Sequence, residues 1–333
     1  MNGTAGARPL FSVVMPVYNG GGLLAEALDS LRAQEPFDGG FEIVAADNGS
    51  TDGSRERLEA AAADLPIRTV DGAMNGNWVS STNKAMGLVR GVYTAFLHHD
   101  DRFRPGRLRA LAAAVRANPD ATLFVNDTAF AGTDGKILGT WRLPVRPGRR
   151  TAAEVLPALL VQNNVAVPGA AFRTDAARAL GGMDENLRYT ADWDFWLRFA
   201  ARDGLVRIAE TLSEFRVHGG SQTVDFARRQ TEMRDNMDCV VERFLPALEG
   251  VVPDARRRRR VRRLARLGVE TDMFLAAAGA GAPLPWRAFF AAAFRCTPAD
   301  WVRYAGVSAV VPRAAARIRA GFLSGRFRRR RGA

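Results

Sequence analysis

Residues 11–15, Phe-Ser-Val-Val-Met, form a short apolar run rich in β-formers. The run stops at Pro16 and turns through Tyr18, Asn19 and three glycines. Leu23, Leu24, Ala27, Leu28 and Leu31 then recur at helical spacing. Residues 41–46 predict a second strand, which runs out into the turn-forming stretch 47–54 (DNGSTDGS), with Asp52 as N-cap of a helix reaching Ala63. A third strand at 92–97 leads into His98-His99-Asp100-Asp101, and Pro105 opens a helix with Leu108, Leu111 and Val115 on one face. Residues 121–125 predict a fourth strand, and 165–172 a later one.

Strand, loop and helix in repetition predict a parallel α/β sheet. Ligands in such sheets bind at the carboxyl ends of the strands. Here those ends carry Pro16, Tyr18 and Asn19, then Asp47 and Asn48, then His98 to Asp101. The glycines at 20–22 do not make a GxGxxG, and no GxxxxGK[ST] occurs. Both absences count against a dinucleotide-dependent oxidoreductase and a P-loop enzyme.

At 333 residues, 47% hydrophobic and 25% charged, the chain has room for one large domain with an appendage, or for two. Two cysteines, Cys239 and Cys296, exclude a disulfide framework and a cysteine-based metal site. An uncharged run at 273–286 is too short, and too broken by Gly279, Gly281, Pro283 and Pro285, to cross a bilayer. The first eight residues have no apolar core segment, so a cytoplasmic protein is expected. The net charge of +12 is uneven. Residues 251–333 hold 19 Arg against Asp254, Glu270, Asp272 and Asp300, a net of +15 that leaves −3 for the first 250 residues. Such a split predicts two regions with separate roles.

Five segments, in order, resemble the family 2 glycosyltransferases of the GT-A fold over roughly residues 9–223. Residues 12–19 (SVVMPVYN) resemble the first strand and nucleotide loop, and 43–54 (IVAADNGSTDGS) the second strand with its acidic turn. Residues 96–101 (FLHHDD) stand at the DxD metal motif. Residues 181–198 (GGMDENLRYTADWDFWLR) resemble the acceptor-side segment that carries the base, and 215–223 (FRVHGGSQT) the closing His-x-x-Ser motif. The resemblance implies a Rossmann-like, mostly parallel central sheet flanked by helices over 9–235, followed by a basic helical extension over 236–333. It implies sugar transfer, with inversion, from a nucleotide-diphosphate donor to a hydroxyl of a glycan or lipid-linked acceptor.

Cleaving a nucleotide–sugar bond pushes negative charge onto a diphosphate, which a divalent cation, Mg²⁺ or Mn²⁺, stabilises. Hard cations take carboxylate oxygens. By the resemblance Asp100 is the metal-binding last position of DxD and His218 completes the metal shell or closes over the diphosphate. The first DxD position is His98, a departure that bears on nucleotide handling. Read alone, Asp100 and Asp101 also fit the N-cap of the helix after Pro105. Pro16, Tyr18, Asn19, Asp47, His98, His99 and Arg216 are expected along the donor nucleotide, Asp47 on the base; an Asx-turn is the plainer reading of Asp47. Inversion needs a base for the acceptor hydroxyl. Asp192 falls on the second position of the family's Glu-Asp pair, with Ala191 replacing the first. It starts a helix marked by Trp193, Trp196, Leu197 and Ala200, where burial would raise its pKa. Asn163, Asn164 and Trp193 are expected on the acceptor side.

In the basic region, Val261, Leu264, Leu267 and Gly268 form one apolar stripe, and Val311, Ala315, Ile318 and Phe322 another. Flanking arginines, including the run at 326–331, suggest an anionic membrane surface at the inner face of the plasma membrane. No nucleic-acid fold accompanies the charge, so nucleic acid is not the expected partner. Two other readings stand beside glycosyl transfer. A nucleotidyltransferase would need a basic phosphate loop that residues 19–22 lack. A non-catalytic sugar-nucleotide binder would fit the departures at His98 and Ala191.

Overall fold

The computed structural model describes residues 8–74, 77–218 and 226–319. Its strands are β1 Phe11–Val17, β2 Phe41–Asp47, β3 Ile67–Asp71, β4 Tyr93–Phe96, β5 Arg102–Phe103, β6 Leu123–Ala131, β7 Ile137–Trp141, β8 Gly148–Arg150, β9 Ala170–Arg173 and β10 Leu205–Arg216. Its helices are α1 Gly21–Arg32, α2 Ser54–Ala61, α3 Trp78–Gly87, α4 Arg107–Ala117, α5 Ala152–Val161, α6 Thr174–Ala179, α7 Ala191–Asp203, α8 Gln230–Val251, α9 Ala255–Ala280, α10 Trp286–Ala293, α11 Pro298–Val307 and α12 Val310–Arg319.

The strands make one sheet in the order β3-β2-β1-β4-β9-β6-β10-β5, with β7 on β6 and β8 on β10. β3, β2, β1 and β4 run parallel, as the repeated pattern predicts. Beyond them the sheet is mixed. β9 lies antiparallel between β4 and β6, and β6 turns back into β7 rather than feeding a helix. The expected strand at 165–172 begins as a short 3-10 turn, Val167–Gly169, and only β9 joins the sheet.

Alternation along β1 and β2 sends side chains to two apolar layers. Val13, Met15 and Ile43 pack under α1 and α4, against Leu24, Leu28, Leu108 and Leu111. Val14, Val44, Phe96 and Phe172 face α5 and α7, against Leu156, Phe195 and Trp196. The second layer does not stop at the expected boundary near residue 235. Val240, Phe244 and Leu248 of α8 and Val261, Leu264 and Leu267 of α9 are buried in that same layer. The stripe on α9 therefore faces protein and not lipid. Gly268 lets α9 touch α5, since a Cβ there would collide with the Val161 carbonyl. Of the second basic stripe, Val311 and Ile318 are exposed, while Phe322 and the arginines at 326–331 lie outside the described residues.

Candidate active site

The loops after β1 and β2 are laced together. Asn19 sits at φ 48°, a left-handed conformation that asparagine tolerates. Its backbone N–H donates to Ser50 Oγ at 3.0 Å, and its own Oδ1 accepts from Thr51 N at 2.9 Å. Gly20 N donates to Ser54 Oγ at 3.0 Å and Gly21 N to Asp52 Oδ2 at 2.9 Å. Asp52 also accepts from Ser54 N, so it caps α2 from one position further out than expected. Gly20 allows a close approach, because a Cβ there would lie 3.2 Å from the His99 ring. His99 Nδ1 in turn lies 3.3 Å from the Pro16 carbonyl. Asp47, at the end of β2, is buried and accepts from Ser50 N at 3.3 Å through both oxygens. That is the turn-forming role, though it leaves a carboxylate at the strand's carboxyl end. Asn48 Oδ1 accepts from Met74 N and Ser81 Oγ, tying in the loop after β3 and the first turns of α3. Tyr18 is 57% exposed, so its ring is open to a ligand.

Between β4 and β5 lies the acidic cluster. His98, Asp100 and Asp101 each offer an atom within 4.8 Å of the others. Asp100 Oδ2 lies 2.9 Å from His218 Nε2, so the histidine that follows β10 meets the acid that follows β4. Burial pushes the Asp100 carboxyl up, but the His218 contact and the neighbouring His99 and His98 outweigh it and hold it well below the usual range. Asp101 goes the other way: burial, then the Asp100 carboxylate, push it well up. Its Oδ1 accepts from Arg216 N at 2.9 Å, while Oδ2 has no hydrogen-bond partner among the described residues. His98 Nε2 is likewise buried without a partner, and burial lowers its imidazole to about 4. Two orphaned buried ligand atoms beside an ionised carboxylate fit a divalent cation. Of the motif around His218, residues 219–225 lie outside the described residues.

Asp192 stands in the first turn of α7, as the apolar spacing predicts. Its Oδ2 accepts from Asn163 Nδ2 at 2.9 Å. Burial raises its carboxyl to about 6, with the Asn163 hydrogen bond opposing. Trp78 joins this helix start to the acidic cluster. Its ring meets His98 edge-on at 5.1 Å, and its indole N–H donates to Arg188 O at 2.8 Å, four residues before Asp192.

Three expected site residues are held by contacts within the fold. Trp193 is buried, with its indole N–H on Leu159 O at 2.7 Å, so it anchors α7 to α5 and not an acceptor. Asn164 is buried and donates to Val307 O at 3.0 Å, holding the end of α11. Arg216 is buried, and its guanidinium grips both oxygens of Glu26 at 3.1 and 2.8 Å. Asp194, next to the base candidate, is fully buried between Arg198 at 2.8 Å and Arg243 at 2.7 Å. Trp78 and Arg313 were not singled out by the sequence. Arg313 of α12 favours the ionised form of Asp192, lies 3.3 Å from Asp272, and covers the Trp141 ring at 5.2 Å. Nothing in their local patterns marks either residue: a lone tryptophan at a helix start and an arginine in a basic tail.

The family model for glycosyl transferase family 2 matches residues 12–178. Among curated proteins, the chain is 32% identical over 223 residues to the uncharacterized protein y4gI of Sinorhizobium fredii, covering 64% of this chain and 23% of that one. It is 27% identical over 234 residues to the uncharacterized glycosyltransferase RT0329 of Rickettsia typhi, covering 67% and 69%. It is 26% identical over 202 residues to a PGL/p-HBAD biosynthesis glycosyltransferase of Mycobacterium tuberculosis, covering 60% and 73%. Among solved structures, TarS 1–349 of S. aureus aligns at TM-score 0.55 and 17% identity over 93% of this chain and 91% of that one. The mannosyltransferase PcManGT of Pyrobaculum calidifontis, in complex with GDP-Man and Mn²⁺, aligns at 0.54 and 18% over 94% and 87%. At these identities the likeness is one of fold.

Proposed function

The chain belongs to glycosyl transferase family 2, and we propose that it moves a sugar, with inversion, from a nucleotide-diphosphate donor to a hydroxyl of a glycan or lipid-linked acceptor. The observation that carries this reading is a pair of carboxylates with opposite environments. Asp100 is held ionised at the strand ends, while Asp192 is raised to about 6, and Trp78 links their two loops. Divergent carboxylates of this kind mark a division of roles.

In this reading the donor lies across the ends of β1, β2 and β4. Tyr18 faces the nucleotide, and Asp47 faces its base. Asp100, with His98 and the free oxygen of Asp101, would hold a divalent cation, and His218 steadies Asp100. Such a cation supplies Lewis-acid stabilisation of the leaving diphosphate. Solved relatives of the same fold are described with UDP, and with GDP-Man and Mn²⁺. Asp192 is ionised at neutral pH and takes the proton from the acceptor hydroxyl as its oxygen attacks the anomeric carbon. Asn163 fixes the carboxylate's orientation through Oδ2. The acceptor belongs to cell-surface polysaccharide or glycolipid synthesis, a setting consistent with the biosynthetic name of the mycobacterial relative.

Release of nucleoside diphosphate from a panel of sugar donors, with Mg²⁺ or Mn²⁺, tests the proposal. Metal-dependent release by the wild type that Asp192→Asn cuts by on the order of 10²–10⁴ supports it. Equal release by both proteins assigns the base elsewhere, and no release from any donor favours a binding role.

A further inference from the structure

Helix α10 buries none of its residues. Trp286, Phe290 and, at its C-cap, Phe294 are 49%, 45% and 85% exposed. Four-residue spacing puts them on one face. Their rings form a ladder: Trp286 and Phe290 stack at 5.6 Å with 16° between planes, Phe290 and Phe294 at 6.0 Å and 28°. The other side of the helix is held. Phe289, Ala292 and Ala293 pack partly into the main core, and Phe274 of α9 meets Trp286 at 4.6 Å and Phe289 at 5.3 Å. The aromatic ladder is thus presented outward on a fixed base, and a contiguous patch of this kind marks an interaction site.

The charge around it names the partner. Across α10 and α11, residues 281–310 hold three Arg, no Lys and one acid, Asp300. Asp300 is buried and paired with Arg260 and Arg263 of α9. Arg287 and Arg295 are exposed and follow Trp286 and Phe294 directly. Arg303 on α11 is exposed as well, beside Trp301 and Val302. We propose that the aromatic face of α10 seats the protein on an anionic lipid bilayer. The rings enter the boundary between headgroups and acyl chains, and Arg287 and Arg295 meet the lipid phosphates. The proposal concerns a surface outside the transfer site and does not depend on the reading of that site.

Two other occupants fit less well. Pairing two copies through this face would bring arginines together with no exposed carboxylate to meet them, which electrostatics disfavours. Nucleic acid would stack its bases on open ring faces. Here Phe290 is stacked between Trp286 and Phe294, which leaves few ring faces open to bases.

The test is co-sedimentation of the full chain with vesicles of phosphatidylcholine, alone or containing phosphatidylglycerol. The variant Trp286→Ser/Phe290→Ser/Phe294→Ser should fold, since these positions are exposed, and nucleoside diphosphate binding measured on the same samples checks that it does. Wild type should bind the anionic vesicles and leave them as salt rises. The ring variant should bind them about 100-fold more weakly, the order expected for removing several buried rings. Arg287→Gln/Arg295→Gln should reduce the preference for anionic over neutral vesicles. Any of four results overturns the proposal: ring-variant binding equal to wild type, equal binding to both vesicle types, a wild-type dimer that the ring variant splits without change in vesicle binding, or displacement from vesicles by a single-stranded oligonucleotide.

Discussion

Asn163 Nδ2 donates a 2.9 Å hydrogen bond to Asp192 Oδ2, across the gap between the end of α5 and the start of α7. The contact favours the ionised carboxylate, while burial favours the neutral one and prevails, leaving Asp192 at about 6. A base poised just below neutral pH is suited to taking a hydroxyl proton.

Asp192→Asn keeps the shape of the side chain and removes its basicity. Donor binding should stay near wild type, and transfer should fall by on the order of 10²–10⁴, the usual share of a general base. Calorimetric donor binding alongside nucleotide release measures both. Near-normal turnover would remove Asp192 as base.

The pH profile carries a sign. A raised carboxyl is protonated below its pKa, so kcat/KM should fall as pH drops through about 6. Asn163→Ala removes the hydrogen bond that favours the anion, so this acidic limb should move to higher pH. A limb unmoved by Asn163→Ala would mean another group titrates there.

Asp194 separates structure from chemistry two residues away. It is a fully buried anion held by Arg198 and Arg243. Asp194→Ala removes the buried anion from Arg198, which keeps Leu180 O and Gly182 O, and from Arg243, which keeps Asp184, so it should cost about 1–3 kcal/mol. The expected readout is a lowered Tm and a denaturant midpoint shifted down. A stable protein with normal Tm would show that the triad contributes little.

The charge split in the sequence predicts a catalytic part that folds without the basic region, and the packing of α8 and α9 predicts the opposite. Ending the chain after Val252 removes α9, whose Gly268 packs on Val161 of α5 and whose Val261, Leu264 and Leu267 are buried in the shared layer, and should give an aggregating or loosely packed product. Gly268→Ala tests the same contact gently. Its Cβ meets the Val161 carbonyl, and overpacking of this kind typically costs about 1–3 kcal/mol. A soluble, cooperatively folding 1–252 chain would contradict the shared core.

β1, β2 and β4 were legible as short runs of mostly apolar β-formers, and β6 only over its apolar start, since it runs on through Asn126, Asp127 and Thr128 to Ala131. β3 was not, because as an edge strand its sequence Ile-Arg-Thr-Val-Asp stays half polar. α3 hid behind Ser80, Ser81 and Thr82, polar residues that are nonetheless buried. Asp100 and His218 were readable from their motifs, and the structure brings them together. The contacts of Arg216, Asn164 and Trp193 were not legible, because a motif gives a residue's neighbourhood and not its rotamer. Each turned to a partner distant in sequence: Glu26, Val307 and Leu159. The apolar stripe on α9 could not say whether it faced lipid or protein, since both select the same residues.

The proposed transfer depends on metal-assisted binding of a nucleotide diphosphate at Asp100. Titrating UDP and GDP into wild type and Asp100→Ala by calorimetry, with Mn²⁺ and with chelator, tests it most directly. Wild type should bind one of the two nucleotides more tightly with Mn²⁺ than with chelator. Asp100→Ala should fold and lose that difference. Metal-dependent binding that survives Asp100→Ala unchanged, or wild-type binding indifferent to the metal, would contradict the assignment.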